Sequence, residues 1–321
     1  MQTLTLALAG ALLVLNGAAA AETIYVSNEQ DNTVSVIDAH RLAAVATIPV
    51  GGRPRGIAFS AHSGLLYVAV GDDNRIDVVD TKTRKVIGSI PSGEDPELFA
   101  LHPDGKRLFV SNENDNLVSS VDLEKNSVLG TVQVGVEPEG IAVSPDGRLV
   151  ANTSETTSML HLIDAASLEL LDNVLVDTRP REAKFTPDGK AIWVSSELRG
   201  TVTVLAREDR RILRRIRFAV PGLRREQIQA VGIVITRDGK TAYVALGPAN
   251  RVAEVDANSF DVRRYYLVGQ RVWHMALSSD EKRLYTANGN TSDVSVIDLD
   301  RQEVVKSIPV GRSPWGVAVA P

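Results

Sequence analysis

The 321-residue chain contains no cysteine, which excludes disulfides, thiolate zinc sites, iron–sulfur clusters, covalent c-type haem and cysteine nucleophiles. Any chemistry must come from oxygen, nitrogen or a borrowed cofactor. Positive charge is not in excess either. Thirty-five Lys plus Arg against 40 Asp plus Glu leave a net charge of −5, so nothing favours sequence-independent contact with phosphate backbones, and nucleic acid is not an expected partner. The motifs that mark common catalysts are missing as well: there is no G-x-S-x-G, no H-E-x-x-H, no phosphate-cradling glycine loop and no C-x-x-C-H. What is there, 44% hydrophobic and 23% charged residues, is the composition of a folded globular chain that can bury a sizeable core.

One apolar run stands out, Leu4 to Val14, followed by Asn16-Gly17 and Ala18-Ala19-Ala20-Ala21. It is too short to span a bilayer comfortably. An apolar segment ending in an A-x-A site, with Ala19 and Ala21 ahead of the cut before Glu22, reads as a secretory signal peptide over residues 1–21. The n-region has no Lys or Arg. No second apolar stretch of spanning length follows, so the mature chain, residues 22–321, is expected outside the cytoplasm, in a bacterium in the periplasm.

Within residues 22–321 a unit recurs seven times. Its landmark is a β-rich tetrad: Tyr25-Val26-Ser27-Asn28 and its counterparts starting at Tyr67, Phe109, Ala151, Trp193, Tyr243 and Tyr285. A second alternating run, Val34-Ser35-Val36-Ile37-Asp38, follows each tetrad. A third, Val45 to Gly51, recurs at Val128 to Gly135 and Val304 to Gly311, and a fourth, Gly56-Ile57-Ala58-Phe59, at Gly140 to Val143 and Gly316 to Val319. Alternation of this kind marks half-buried strands. Turns such as Pro103-Asp104-Gly105 join the fourth run to the next tetrad as hairpins. Four antiparallel strands per unit at a period of about 40 to 45 residues predict an all-β, seven-bladed β-propeller of four-stranded antiparallel blades. The first tetrad lacks a preceding inner strand, and the last inner strand, Trp315 to Ala320, lacks a following tetrad. The ring should therefore close by pairing of the N- and C-terminal strands. The domain is single, and it is taken as a monomer.

The tetrad Y-V-S-N, the strand V-S-V-I-D, the run I-P-V-G and the turn S-P-D-G resemble the YVTN family of β-propeller repeats over residues 22–321. One step between tetrads is longer than the others because of the segment Val220 to Gln229. With the signal peptide and the seven units, that segment is similar to the subgroup of YVTN propellers associated with pyrroloquinoline quinone (PQQ)-dependent alcohol catabolism. The resemblance implies a periplasmic quinoprotein dehydrogenase or a transporter component as partner, and no particular activity, because propellers host enzymes, binders and scaffolds alike.

Functional residues should gather where loops enter the inner strands and leave the second strands. The position before each inner strand holds Arg55, Glu97, Glu139, Arg181, Val231, Trp273 and Trp315. The position after each tetrad holds Glu29, Gly71, Glu113, Glu155, Glu197, Gly247 and Gly289. Equivalent positions lie on a ring, so Glu97, Glu113, Glu139, Glu155 and Glu197 should converge on one side, with Glu94 and Glu137 nearby. All-oxygen ligands suit a hard cation, Ca²⁺ or a lanthanide ion; the same glutamates could instead form ion pairs with Arg55 and Arg181. The opposite half is expected to carry Arg53, Arg55, Arg179, Arg181, Arg271, Arg312, Trp273, Trp315 and His274. Guanidinium forks and indole faces there could hold an aromatic polyacid such as PQQ or an acidic protein loop, or the tryptophans could merely cover the channel. Capping a strand is the other reading of His274. Asp31-Asn32 and its repeats read as turn formers, and Asp38 and its repeats as Asx-turns.

Three functions fit these residues. A non-catalytic binding or accessory propeller needs nothing further and is the preferred reading. A lactonase-like enzyme would draw on Glu97, Glu139 and His274 for an acid/base pair or a metal. A haem-holding propeller like the cytochrome d1 domain would need an axial histidine, while His40, His62, His102 and His161 fall mostly in turns or at strand ends.

Overall fold

The computed structural model describes residues 22–321; the expected signal peptide, residues 1–21, lies outside them. The alternating runs form seven four-stranded antiparallel sheets set around an axis. Blade 1 is the composite one. Its inner strand, Pro314–Ala320, pairs with the N-terminal strand Thr23–Asn28, Tyr25 opposite Ala318. The ring thus closes through hydrogen bonds between the two ends of the described chain. Blades 2 to 7 follow in order, with inner strands Pro54–Ser60, Pro96–Leu101, Pro138–Val143, Pro180–Phe185, Ile233–Ile235 and Val272–Leu277.

Each sheet buries both faces against its neighbours, and seven apolar clusters fill the seven clefts between adjacent blades. The first residues of the tetrads, among them Tyr25, Phe109, Trp193 and Tyr285, are core. The aspartates that end the third strands make the Asx-turns read from sequence: Asp38 Oδ1 accepts the His40 and Arg41 N–H at 2.9 and 2.8 Å, and Asp80 Oδ1 does the same for Lys82 and Thr83 at 2.7 and 2.9 Å. These backbone bonds hold both carboxyls below their ordinary range.

Crowding near the axis sets the shape of the inner strands. Six of the seven carry a bulge at their start, and a bulge re-aims side chains at a sheet edge. Hydroxyls of the second strand fill the gap: Ser27 Oγ accepts the Gly316 N–H at 2.9 Å, Thr153 Oγ1 that of Gly140 at 2.9 Å, and Ser195 Oγ that of Glu182 at 3.1 Å. One repeat position, the third residue of six inner strands and the residue just ahead of the short blade 6 strand, reads Gly56, Leu98, Gly140, Glu182, Gly232, His274 and Gly316 from blade 2 round to blade 1. Large side chains therefore alternate with glycine over most of the ring. A Cβ on Gly140 would lie 2.6 Å from the Arg181 carbonyl oxygen and 2.7 Å from the Glu182 Cα, a contact that backbone cannot relieve by a rotamer change.

Gly140→Ala is expected to lower stability by about 1–3 kcal/mol, the usual cost of overpacking. Gly88→Ala, at an outer-strand position where a Cβ meets nothing within 4 Å, is expected to be neutral or slightly stabilising. Thermal melting of the two variants checks both; equal melting temperatures would contradict the crowding.

Candidate functional site at the channel mouth

Three repeat positions build the mouth. The first, two residues before the bulge residue, has positive φ and holds Arg53, Asp95, Glu137, Arg179 and Arg271. Its conformation is fixed from two sides. Asparagines of the preceding blade's turn accept its N–H: Asn32 that of Arg53 at 3.1 Å, Asn74 that of Asp95 at 2.9 Å, Asn116 that of Glu137 at 3.0 Å, and Asn250 that of Arg271 at 2.9 Å. Its carbonyl accepts the N–H of the residue after the tetrad, as in Glu113 to Asp95 at 2.9 Å and Glu197 to Arg179 at 2.8 Å. The asparagines read as turn formers thus also position the site.

The second position was expected just ahead of the inner strands. The structure places Arg55, Glu97, Glu139, Arg181, Trp273 and Trp315 inside them, each as the second strand residue, within the bulge. A bulge adds a residue without adding a pairing partner, and repeat spacing alone does not reveal it. The third position, after the tetrad, holds Glu29, Glu113, Glu155 and Glu197 as expected.

The acidic and basic residues do not occupy opposite halves. Arg55 and Arg181, from blades 2 and 5, flank Glu97 and Glu139 of blades 3 and 4. Arg55 bonds Glu97 at 2.7 Å and Glu29 at 3.0 Å, and Arg53 bonds Glu97 at 2.9 Å and also pairs with Asp95. Arg181 pairs with Glu139 at 3.0 Å, with Glu155, and with Glu197 at 3.8 Å, while Arg179 reaches Glu155 and Glu197 at 2.7 and 3.2 Å. Arg271, from blade 7, crosses the mouth to Glu197 at 2.7 Å. It passes blade 6, whose equivalent positions, Val231 and Gly247, carry no charge. Arg312 lies apart, exposed and paired with Asp31 at 2.5 Å.

The tryptophans form a wall beside this network. Trp273 and Trp315 lie 6.4 Å apart at 30°, Arg271 covers Trp273 at 4.0 Å, and the His274 ring sits 4.1 Å from Trp315. Trp315 is 1% exposed and its indole N–H has no hydrogen-bond partner among the described residues. His274 does more than cap a strand: its Nδ1 lies 3.6 Å from Glu182, a buried carboxylate that also accepts the Ile233 N–H at 2.5 Å and pairs with Lys184 at 2.8 Å. Burial pushes Glu182 up, but Lys184 and His274 hold it down at about 2. Sequence reasoning missed Glu182 and Asp95. Both sit at repeat positions of residues already singled out, Glu182 at that of His274 and Asp95 at that of Arg53. Of the other histidines, His102 and His161 have both ring nitrogens engaged, and His161 lies inside the third strand Met159–Asp164 rather than at a turn.

Charge does not balance at the mouth. Among the described residues, and leaving aside the exposed Asp72, eight carboxylates (Glu29, Asp95, Glu97, Glu113, Glu137, Glu139, Glu155, Glu197) face five guanidinium groups. Buried carboxylates left in excess rise in pKa. Burial, then the hydrogen bond and charge of Glu97, push Glu113 up to about 8. Burial raises Glu139 well above the carboxylate range, despite Arg181. Glu155 is also raised by burial, against Arg181 and Arg179. Glu97 is held low: burial opposes this, but Arg55, the proton of Glu113 and Arg53 prevail. Oxygen atoms of Asp95, Glu97 and Glu113 all lie within 4.8 Å of one another.

Comparison with known proteins agrees with the architecture. Residues 63–199 match the family profile described as the cytochrome D1 heme domain, and residues 173–305 that described as lactonase, 7-bladed beta-propeller. Each covers less than half of the chain. No curated protein is similar enough in sequence to match. Among solved structures, hydrazine synthase of Kuenenia stuttgartiensis superposes with a TM-score of 0.78 at 21% identity, over 86% of this chain and 92% of that one. A Lactobacillus plantarum protein superposes with a TM-score of 0.81 at 14% identity, over 94% and 99%, and a functionally unknown protein of Desulfotomaculum acetoxidans with 0.78 at 17%, over 93% and 98%. At these identities the likeness is one of fold.

A carboxyl whose folded-state pKa lies above its unfolded value keeps its proton preferentially in the folded state, so its contribution to stability is lost as pH rises from the unfolded value through the folded one. For Glu113 that window runs from 4.5 to about 8. The protein is expected to melt at progressively lower temperature across this window, and Glu113→Gln to flatten the decline. A decline of the same steepness in the variant would contradict the assignment.

Proposed function

We propose that the protein is a non-catalytic binding propeller whose mouth takes a hard cation, Ca²⁺ or a lanthanide ion, at Asp95, Glu97 and Glu113. The observation that carries this reading is the convergence of three carboxylate oxygens, one each from Asp95, Glu97 and Glu113, within 4.8 Å of one another; burial and the neighbouring Glu97 push the Glu113 carboxyl up to about 8. Glu139, Glu155 and Glu197 lie outside that oxygen cluster, paired with Arg181, Arg179 and Arg271; Asp95 and Glu97 are themselves paired with Arg53 and Arg55, so a cation there competes with those guanidinium groups. Three carboxylates are a partial shell for an ion that takes six to eight oxygens; water and backbone carbonyls would complete it. PQQ fits less well, because Arg55 and Arg181 already spend their forks on glutamates.

Export to the periplasm is supported by the apolar run and alanine site at the N-terminus. A role beside a quinoprotein dehydrogenase or a transporter component is supported by the resemblance of the repeats and of the 220–229 segment. A lactonase-like second reading is favoured by one observation, the Glu182–His274 pair inside the segment that matches the lactonase profile.

A cation that binds only the folded state raises its stability in proportion to RT ln(1 + [L]/Kd), about 2.7 kcal/mol at a hundredfold excess. Because it must displace the proton on Glu113, binding should strengthen with pH. Melting chelator-treated protein with Ca²⁺ or La³⁺ is expected to give an upward shift, larger at pH 9 than at pH 6 and lost in Glu97→Gln/Glu113→Gln. No shift with either ion up to millimolar concentration would overturn the cation reading. Hydrolysis of a lactone panel that His274→Ala abolishes would favour the second one.

A further inference from the structure

An arginine-rich stretch runs up to and into the segment that breaks the repeat rhythm. Residues 207–225 hold eight arginines, no lysine and two acidic residues, within a chain of net charge −5. Much of this charge lies on the outer strand of blade 5, Ile212–Arg217, which carries Arg214, Arg215 and Arg217, all exposed. Arg215 reaches Asp177 at 3.5 Å; Arg214 and Arg217 make no ion pair among the described residues. The outer strand of blade 6 also has two arginines, but Arg263 and Arg264 are matched by Asp256 and Glu254. The 220–229 connection then adds Arg224 and Arg225, exposed and without an ion pair among the described residues, beyond the same end of the strand as Arg217.

Shape accompanies charge. Between the outer strands of blades 5 and 6 lies a cleft of about 520 Å³ where the three arginines outnumber the one carboxylate, Asp261, beside Phe260, Val262 and Tyr265. The Ile212–Arg217 strand ends its sheet, so its outward N–H and C=O groups have no strand partner. A bare edge invites pairing with any chain, and charge is the usual guard against it. Three arginines repel a second copy of the same edge but attract an acidic strand, so the guard is selective. Guanidinium forks match carboxylates bidentately, which lysine cannot do.

We propose that this edge and its cleft dock an acidic segment of a partner protein, the arginines pairing with its carboxylates and the free edge with its backbone. A long polyanion such as nucleic acid or an anionic membrane suits the surface less, because the patch is local and the rest of the molecule is acidic. The inference is independent of the cation reading at the mouth.

Binding of a fluorescein-labelled polyglutamate peptide to the mature protein, followed by anisotropy at low salt, tests it. The peptide should bind, more weakly as salt rises. Arg214→Glu/Arg215→Glu/Arg217→Glu should weaken binding at least about tenfold with an unchanged circular dichroism spectrum, whereas Lys85→Glu/Lys306→Glu, on the outer strands of blades 2 and 7, should leave it intact. The proposal is overturned if the wild type fails to bind the peptide, if the triple variant binds as tightly, or if duplex DNA or phosphatidylglycerol vesicles bind this edge more tightly than the peptide.

Discussion

Seven inner strands meeting around one axis leave little room, and that crowding governs the rest of the molecule. Adjacent backbones approach so closely that Gly56, Gly140, Gly232 and Gly316 have no space for a Cβ. The strands relieve the crowding by bulging at their starts, and each bulge turns the following side chain toward the mouth. Hydroxyls on the second strands satisfy the backbone groups that bulging frees, as Ser27, Thr153 and Ser195 do. A local steric problem thus delivers Arg55, Glu97, Glu139, Arg181, Trp273 and Trp315 to one end of the channel.

The price of that convergence is electrostatic. Buried ion pairs repay their desolvation poorly, and well-packed apolar residues often serve stability as well or better. A mouth lined by eight carboxylates and five guanidinium groups is therefore a weak choice as mere filling. Such an arrangement makes sense where charge has to be presented to something. Burial pushes the Glu113 and Glu139 carboxyls up, which favours their neutral forms where no cation is bound. A proton on a carboxyl that touches two others is also a placeholder that a cation can displace. Trp315 of blade 1, with Arg55 over its ring at 5.8 Å and His274 beside it, and the Glu182–His274 pair of blades 5 and 7 extend the lining beyond the glutamates.

Much of this was legible in the sequence. The tetrads, the Pro-Asp-Gly turns and the incomplete units at the two ends specify seven blades and a composite first one, because period-two alternation and turn chemistry are local signals. The ring arithmetic also found Glu97, Glu113, Glu139, Glu155 and Glu197 at the mouth. It failed where geometry depends on neighbours. The bulge that draws Arg55 and Trp315 into the strand leaves no mark on spacing. The interleaving of arginine with glutamate depends on how far a guanidinium reaches across a narrow mouth, as Arg271 does to Glu197 across blade 6. Glu182 was passed over because its repeat position is glycine in four blades, so it read as strand.

The most direct test of the account is the protonation of the mouth itself. Carbon NMR of glutamate side chains, labelled at the carboxyl carbon and assigned by Glu113→Gln and Glu139→Gln, follows each carboxyl through a pH titration of the metal-free protein. The account requires one resonance, lost in Glu113→Gln, to titrate near pH 8, and one, lost in Glu139→Gln, to remain protonated well above the ordinary carboxylate range. Titration of every glutamate within the ordinary carboxylate range, around pH 4.3, would show that the mouth carries no such excess and would remove the basis for a cation there.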